Sequence, residues 1–222
     1  MNPDYINHIK KAFEVGRDSE EIVAYHGTSL EVLREIINAG IQIGSIFESN
    51  NSLKIRKGDV FFYPIKEKSK IEGELGAYDE KMAFYHASIA ASRISEHSYI
   101  LTRLGLPFDT HLSWMPNEMQ GDSYWWGDFA SNTYFTEGED YKEIMKYLSK
   151  VKGFSNEYID NIVREARKEK GVVIGYKKSI FDRGEPLQGD DDYDIRVLGV
   201  KIEDIIGIEP LDQESWDFLS SL

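Results

Sequence analysis

The chain has 222 residues, 41% of them hydrophobic, which suits one large domain with a substantial core. It holds 26 basic against 39 acidic side chains, a net charge of -13, so its surface repels phosphate backbones and anionic lipid, which argues against a general nucleic-acid binder. The absence of cysteine excludes disulfides, thiolate metal sites and a thiol nucleophile, and no apolar stretch nears the roughly 18 residues that a membrane span requires.

The first stretch, MNPDYINHIKKAFEVGRDSEE, reads as an amphipathic helix rather than the basic start and apolar core of a secretory signal, so a cytoplasmic location is expected. Residues 21–25 predict a short strand ending near His26. Leu30, Leu33, Ile36 and Ile37 recur at helical spacing, and Ala39-Gly40 ends that helix. Lys54, Arg56 and Lys57 could form a local basic groove on the acidic surface. GDVFFYP, residues 58–64, is β-branched and aromatic between a glycine and a proline, and predicts a strand. Residues 77–94 predict a helix with Met82, Tyr85, Ile89 and Ser92 along one side; Ala83, Ala87 and Ala90 would let it approach a sheet closely.

From residue 95 to about 150 the chain carries Trp114, Trp125 and Trp126 among prolines and glycines, the pattern of an irregular insertion. Helices are expected at about 141–150 and 156–170, the second capped by Ser155. GVVIGYK, residues 171–177, is a buried strand. The acidic loop GEPLQGDDDYD then leads into IRVLG and VKIEDIIGIEPL, a turn followed by a last strand. Strands and helices mix without strict alternation, which predicts an α+β domain spanning 1–222 with its Trp-rich insertion at about 95–150.

Four pieces could carry chemistry. In YHGTS, Gly27 would let a ligand approach the backbone while His26 donates to a hydroxyl; the same five residues also suit a plain turn. In DVFFYP, Phe61 and Tyr63 share one strand face and Phe62 takes the other, so one face offers a flat ring, or simply core. Tyr85 is a second candidate ring or a core tyrosine. Glu185, Asp190, Asp191, Asp192 and Asp194 crowd a stretch without a base. Such a run is a solvated loop or a working site, and Asp194 differs in adjoining the apolar run 195–198. Its spacing does not match an EF-hand, the histidines show no HExxH pairing, and no P-loop, GxSxG or strand-linked GxGxxG is present.

In their order, these pieces resemble the ADP-ribosyltransferase superfamily, in its histidine-tyrosine-glutamate branch with the poly(ADP-ribose) polymerases and diphtheria-like toxins. YHGTS is similar to that branch's first motif, GDVFFYP with EKMAFYHAS to its second, and YDIRVLGVKIEDIIGIEPL to its third. The resemblance implies a split, strongly bent mixed β-sheet with flanking helices and NAD in the cleft. It implies that His26 bonds the adenosine-side ribose, that Gly27, followed by Thr28, holds the nicotinamide carboxamide, and that Tyr85 with Phe61 or Tyr63 sandwiches the nicotinamide ring. Asp194, or Asp192, would take the place of the acid at the nicotinamide ribose. No metal is implied. ADP-ribose would pass to a protein or nucleic-acid acceptor, with the Trp-rich insertion as the recognition element.

Three positions depart from that pattern: the acid is Asp rather than Glu, Phe61 lacks the strand tyrosine's hydroxyl, and Met82 replaces a serine that precedes the helix tyrosine. An NAD glycohydrolase, an RNA 2'-phosphotransferase or an inactive binding module of the same fold are the rivals. The phosphotransferase would need arginines in the cleft, where Arg34, Arg56 and Arg196 are the candidates.

Overall fold

The structure, a computed structural model, describes residues 2–42, 59–65, 78–103, 153–183, 185–186 and 195–222. Helix α1, Pro3–Val15, begins with proline at its first position and with Asn2 accepting from the Asp4 N–H at 2.9 Å, which satisfies a backbone donor the helix cannot. It lies along the last strand, β8 (Ile205–Pro210), where His8 Nε2 donates to the Ile205 carbonyl at 2.7 Å. Helix α2, Leu30–Ala39, is capped by Ser29 and stopped by Gly40 in the left-handed conformation.

The sheet has six strands in the order β5-β6-β3-β1-β4-β8: β1 is Ala24–Thr28, β3 Asp59–Pro64, β4 Val172–Tyr176, β5 Glu185–Pro186 and β6 Ile195–Leu198. Short strands β2 (Ile41–Gln42) and β7 (Val200–Lys201) pair separately. The fold is α+β. Every pairing between these strands is antiparallel, in place of the expected mixed sheet; the single parallel contact described is an isolated bridge from Ile65 to Tyr78. Alternation and β-branching mark a strand but do not reveal the direction of its neighbour.

Two layers cover this sheet. On one face Ala24, Val60, Phe62, Val172, Ile174, Tyr176 and Ile208 pack against α1, α2 and helix α5, Gln213–Ser221. The opposite face presents Tyr25 and Val173 to helix α3, Glu80–Arg103, through Ala83, Ala87 and Ala91, all fully buried. Three bare alanines let the helix axis come close to the strands. The stripe runs through Ala91 rather than the expected Ala90, because residues four apart stack on one helix face.

Other boundaries also move. The first strand begins at Ala24 and runs through His26 and Gly27, so these residues sit inside a strand and not in a turn after it. Backbone rungs to β4 at all five positions hold them extended. Residues 95–103 continue α3 and belong to no irregular insertion. Residues 104–152, including Trp114, Trp125, Trp126 and the expected helix at 141–150, lie outside the described residues, as do Lys54, Arg56 and Lys57. Helix α4, Asn156–Ala166, is capped as expected by Ser155, which accepts from the Tyr158 N–H at 3.2 Å. Glu185 and Pro186, expected in the acidic loop, form an edge strand against β6.

Asp212 fastens α5 to the sheet. One carboxylate oxygen accepts from the Ser215 N–H at 2.7 Å, the other from the Lys170 and Gly171 N–H groups at 2.6 and 2.7 Å. Burial alone would raise this carboxyl's pKa, but the Ser215, Lys170 and Gly171 hydrogen bonds outweigh it and hold the group below its ordinary value.

Candidate functional site

Strand β3 changes partner along its length. Pro64 and Tyr63 pair with Ala24 and Tyr25 of β1, whereas Phe62, Phe61, Val60 and Asp59 pair with Ile195 to Leu198 of β6. The described rungs between β1 and β3 therefore stop at Tyr25, and His26, Gly27 and Thr28 continue beside β4 alone. Ile65 donates its N–H to the Val23 carbonyl at 2.8 Å, the Val23 N–H goes to the Tyr176 carbonyl at 2.9 Å, and Tyr25, opposite Tyr63, turns its backbone groups toward β3. Backbone direction alternates along a strand, and Gly27 accordingly turns its N–H and C=O the same way, toward the side where the β3 rungs have ended.

Gly27 also answers to the helix above it. A Cβ built there would fall 1.8 Å from the Ala87 carbonyl oxygen and 2.5 Å from the Ala91 nitrogen. The close approach that requires glycine is thus that of α3, and Gly27 itself is buried beneath it.

His26 projects on the other face. Its half-buried ring lies 5.9 Å from that of Phe62 at 53°. Thr28 shares that parity but is buried, 2% exposed, so its side chain belongs to the interior rather than to an open surface. Phe61 sets its backbone opposite Arg196. Asp192 and Asp194 lie outside the described residues. Ile195, the next residue, pairs with Phe62, and this entrance to β6 therefore adjoins the place where β3 passes from one partner to the other.

Tyr85, expected to face a strand ring, has its described ring contact with His86. Tyr85 is 54% exposed and Met82 40%, since about 100° per residue turns Tyr85 roughly 200° from Ala83, away from the sheet. The next residue comes back toward the strands. His86 is half-buried, nearly parallel to Tyr63 (centroids 5.8 Å, 23°), tilted against Tyr78 (4.8 Å, 44°) and edge-on to Tyr85 (5.7 Å, 68°). The sequence pattern drew attention to the tyrosine and passed over its neighbour. Only the phase of the alanine stripe could have distinguished them.

Beneath these rings Tyr25 donates its hydroxyl to Glu80 Oε1 at 3.4 Å and meets Phe84 edge-on, with Arg17 stacked over Phe84 at 5.1 Å. Burial first, and then the Glu80 carboxylate, hold this phenol above its ordinary range, so it stays protonated and structural. Arg34 is engaged elsewhere, with Glu214 at 3.6 Å and over the Phe218 ring at 4.9 Å.

A second perturbed carboxyl lies just before β4. Glu169 is pushed up to about 7, first by burial and then by Glu214, Asp212 and Glu31, with Arg103 opposing. Its folded value exceeds the ~4.3 of a free glutamate, so the folded chain holds the proton more tightly. The stability penalty is absent well below that free value, grows as pH rises toward 7, and is complete above it. Glu169→Gln is therefore expected to stabilise the protein by about 1 kcal/mol at slightly alkaline pH, after allowance for solvent screening at a partly exposed group. Urea unfolding should show the gain shrinking as pH falls through this window; a gain independent of pH would mean that the charge is not its source.

Among the described residues no helix is long and apolar enough to cross a membrane. No family model, no curated protein and no solved structure matches the chain.

Proposed function

We propose that this protein is an NAD-dependent ADP-ribosyltransferase, which releases nicotinamide and passes ADP-ribose to a protein or nucleic-acid acceptor, on a split, bent sheet of the kind that family uses. The observation that supports this reading is the change of partner along β3: its described rungs to β1 lie at Ala24 and Tyr25, so the Gly27 N–H and C=O face the side where β3 has turned to β6. One donor and one acceptor from a single residue match a carboxamide, which offers one of each on the same edge. Beside this break Tyr63 lies on one face of the sheet and His26 on the other.

In this reading His26 donates to a hydroxyl of the adenosine-side ribose, and Gly27 and Tyr63 hold the nicotinamide. The bond from nicotinamide to ribose breaks with its electron pair departing on the ring nitrogen, which neutralises the pyridinium and leaves positive charge on the sugar. A carboxylate beside that sugar, assigned to Asp194, stabilises the charge as it develops. The acceptor's lone pair then forms the new bond to the sugar carbon, and its proton passes to solvent or to that carboxylate.

Incubation of the purified protein with NAD tests this directly. Nicotinamide should accumulate with time, and NAD labelled in its adenine should mark a macromolecule from a cell extract. Nicotinamide without labelling would identify a glycohydrolase; intact NAD after long incubation would defeat the enzymatic reading.

A further inference from the structure

We propose that the junction where α2, α3 and α5 meet the start of β4 is a pH-sensitive clasp, closed on the C-terminal helix at acidic pH and loosened above neutrality. Its centre is Gly171, two residues beyond Glu169 and in the left-handed conformation, φ +71°. A Cβ added there would overlap the Ser95 hydroxyl of α3 and the Thr28 carbonyl of β1, and would stand 3.3 Å from the Cα of Ser29, the cap of α2. On its other side the carboxylate of Asp212, the cap of α5, accepts from the Lys170 and Gly171 N–H groups. The N-termini of α2 and α5 thus converge on one short segment, and each brings an acid in its first turn, Glu31 and Glu214.

Glu169 meets charge from each helix at this junction. Among the described residues α2 supplies Glu31, α5 supplies Asp212 and Glu214, and α3 opposes them with Arg103. Nearby bases are engaged: Arg34 with Glu214 at 3.6 Å, Lys168 with Glu165, and Arg167 and Lys170 facing Glu96 of α3. Ser98 of α3 donates to Glu31 at 3.2 Å, which fixes that carboxylate in place. Loss of the Glu169 proton, as pH passes about 7, adds a charge one peptide away from the carboxylate that holds α5. The closed form binds this proton more tightly than a free glutamate does. Closure therefore weakens as pH rises from ~4.3 toward the folded value and stays weak above it. Release of α5 is the least costly relief, because it is a terminal helix of nine residues in which Leu219 is the only large apolar side chain fully buried. Its departure would uncover the core that Phe218, Leu219 and Leu222 close.

Amide hydrogen exchange on the full chain, corrected for the intrinsic pH dependence of exchange, tests the clasp. Protection of the Gly171 and Ser215 amides is expected to fall roughly tenfold between about pH 5 and about pH 8. It should also stay at least about tenfold below that of Ile174, in the middle of β4, and respond little to added urea, the mark of a local opening. Glu169→Gln should abolish the fall with pH. Glu96→Gln, which neutralises the α3 carboxyl facing Arg167 and Lys170, should leave it. Melting temperatures confirm that both variants fold. Equal protection of Gly171, Ser215 and Ile174 at about pH 8 would show that α5 does not open on its own and overturn the proposal. Wild-type protection independent of pH, or an undiminished fall in Glu169→Gln, overturns it equally, as does a fall abolished by Glu96→Gln alone.

Discussion

Nicotinamide release is expected to fall to the uncatalysed background in His26→Ala, with a fold that remains intact. The imidazole is half-buried, its ring 5.9 Å from that of Phe62, and truncating a partly exposed side chain costs about 1 kcal/mol. For a chain of this length that corresponds to a fall of roughly 2–4 °C in melting temperature. On the proposed reading the functional loss is much larger, because there a hydrogen bond from His26 to the ribose would fix the sugar relative to the departing ring. Misplacement of reacting groups by about 1 Å costs on the order of a hundredfold in rate. A folded His26→Ala that releases nicotinamide at the wild-type rate would remove this side chain from the reaction, and the opening between the strands would then need another occupant.

Gly27→Ala should act through stability instead. The added methyl would overlap the Ala87 carbonyl oxygen at 1.8 Å, and both close neighbours are helix backbone, which no rotamer change can move aside. Helix α3 must lift from the sheet or β1 must bend. A loss of about 3 kcal/mol or more is expected, at the upper end of overpacking effects, with a melting temperature lower by roughly 6–12 °C. Gly153→Ala provides the contrast, because no atom lies within 4 Å of its added carbon and only the left-handed backbone, φ +75°, resists the change. That should cost about 1 kcal/mol. Equal melting temperatures for the two variants would show that α3 does not bear on β1 as described.

Much of the framework was legible because it rests on local chemistry. Ser155 and Gly40 are capping signals whose physics is confined to one turn, and both helix ends fall where those residues place them. GDVFFYP and GVVIGYK carry enough β-branched and aromatic residues to mark strands within a residue or two. The first strand was harder. Histidine and glycine interrupt its apolar run and read as a turn, yet cross-strand rungs to Val172–Tyr176 decide the conformation, and these come from residues about 150 positions away. The C-terminal helix was overlooked although Asp212 caps it, because WDFLSS is short and only Leu219 of its large apolar side chains is fully buried. Around the candidate site, Gly27 and Tyr63 stand out by residue type, whereas which of Tyr85 and His86 faces the strands depends on a helix rotation that aromatic content does not specify.

The change of partner along β3 has a mechanical corollary. Among the described residues, the rungs at Ala24 and Tyr25 and the Ile65–Val23 hydrogen bond are the backbone ties between the trio β1, β4 and β8 and the pair β5 and β6, while each group is internally cross-linked over most of its length. The two groups nonetheless share one hydrophobic interior, in which Phe62 meets Tyr176 edge-on at 4.9 Å and packs with Ala24 and Ile174. Side-chain packing, more than backbone pairing, therefore locks the two groups together, and Phe62→Ala would loosen that joint.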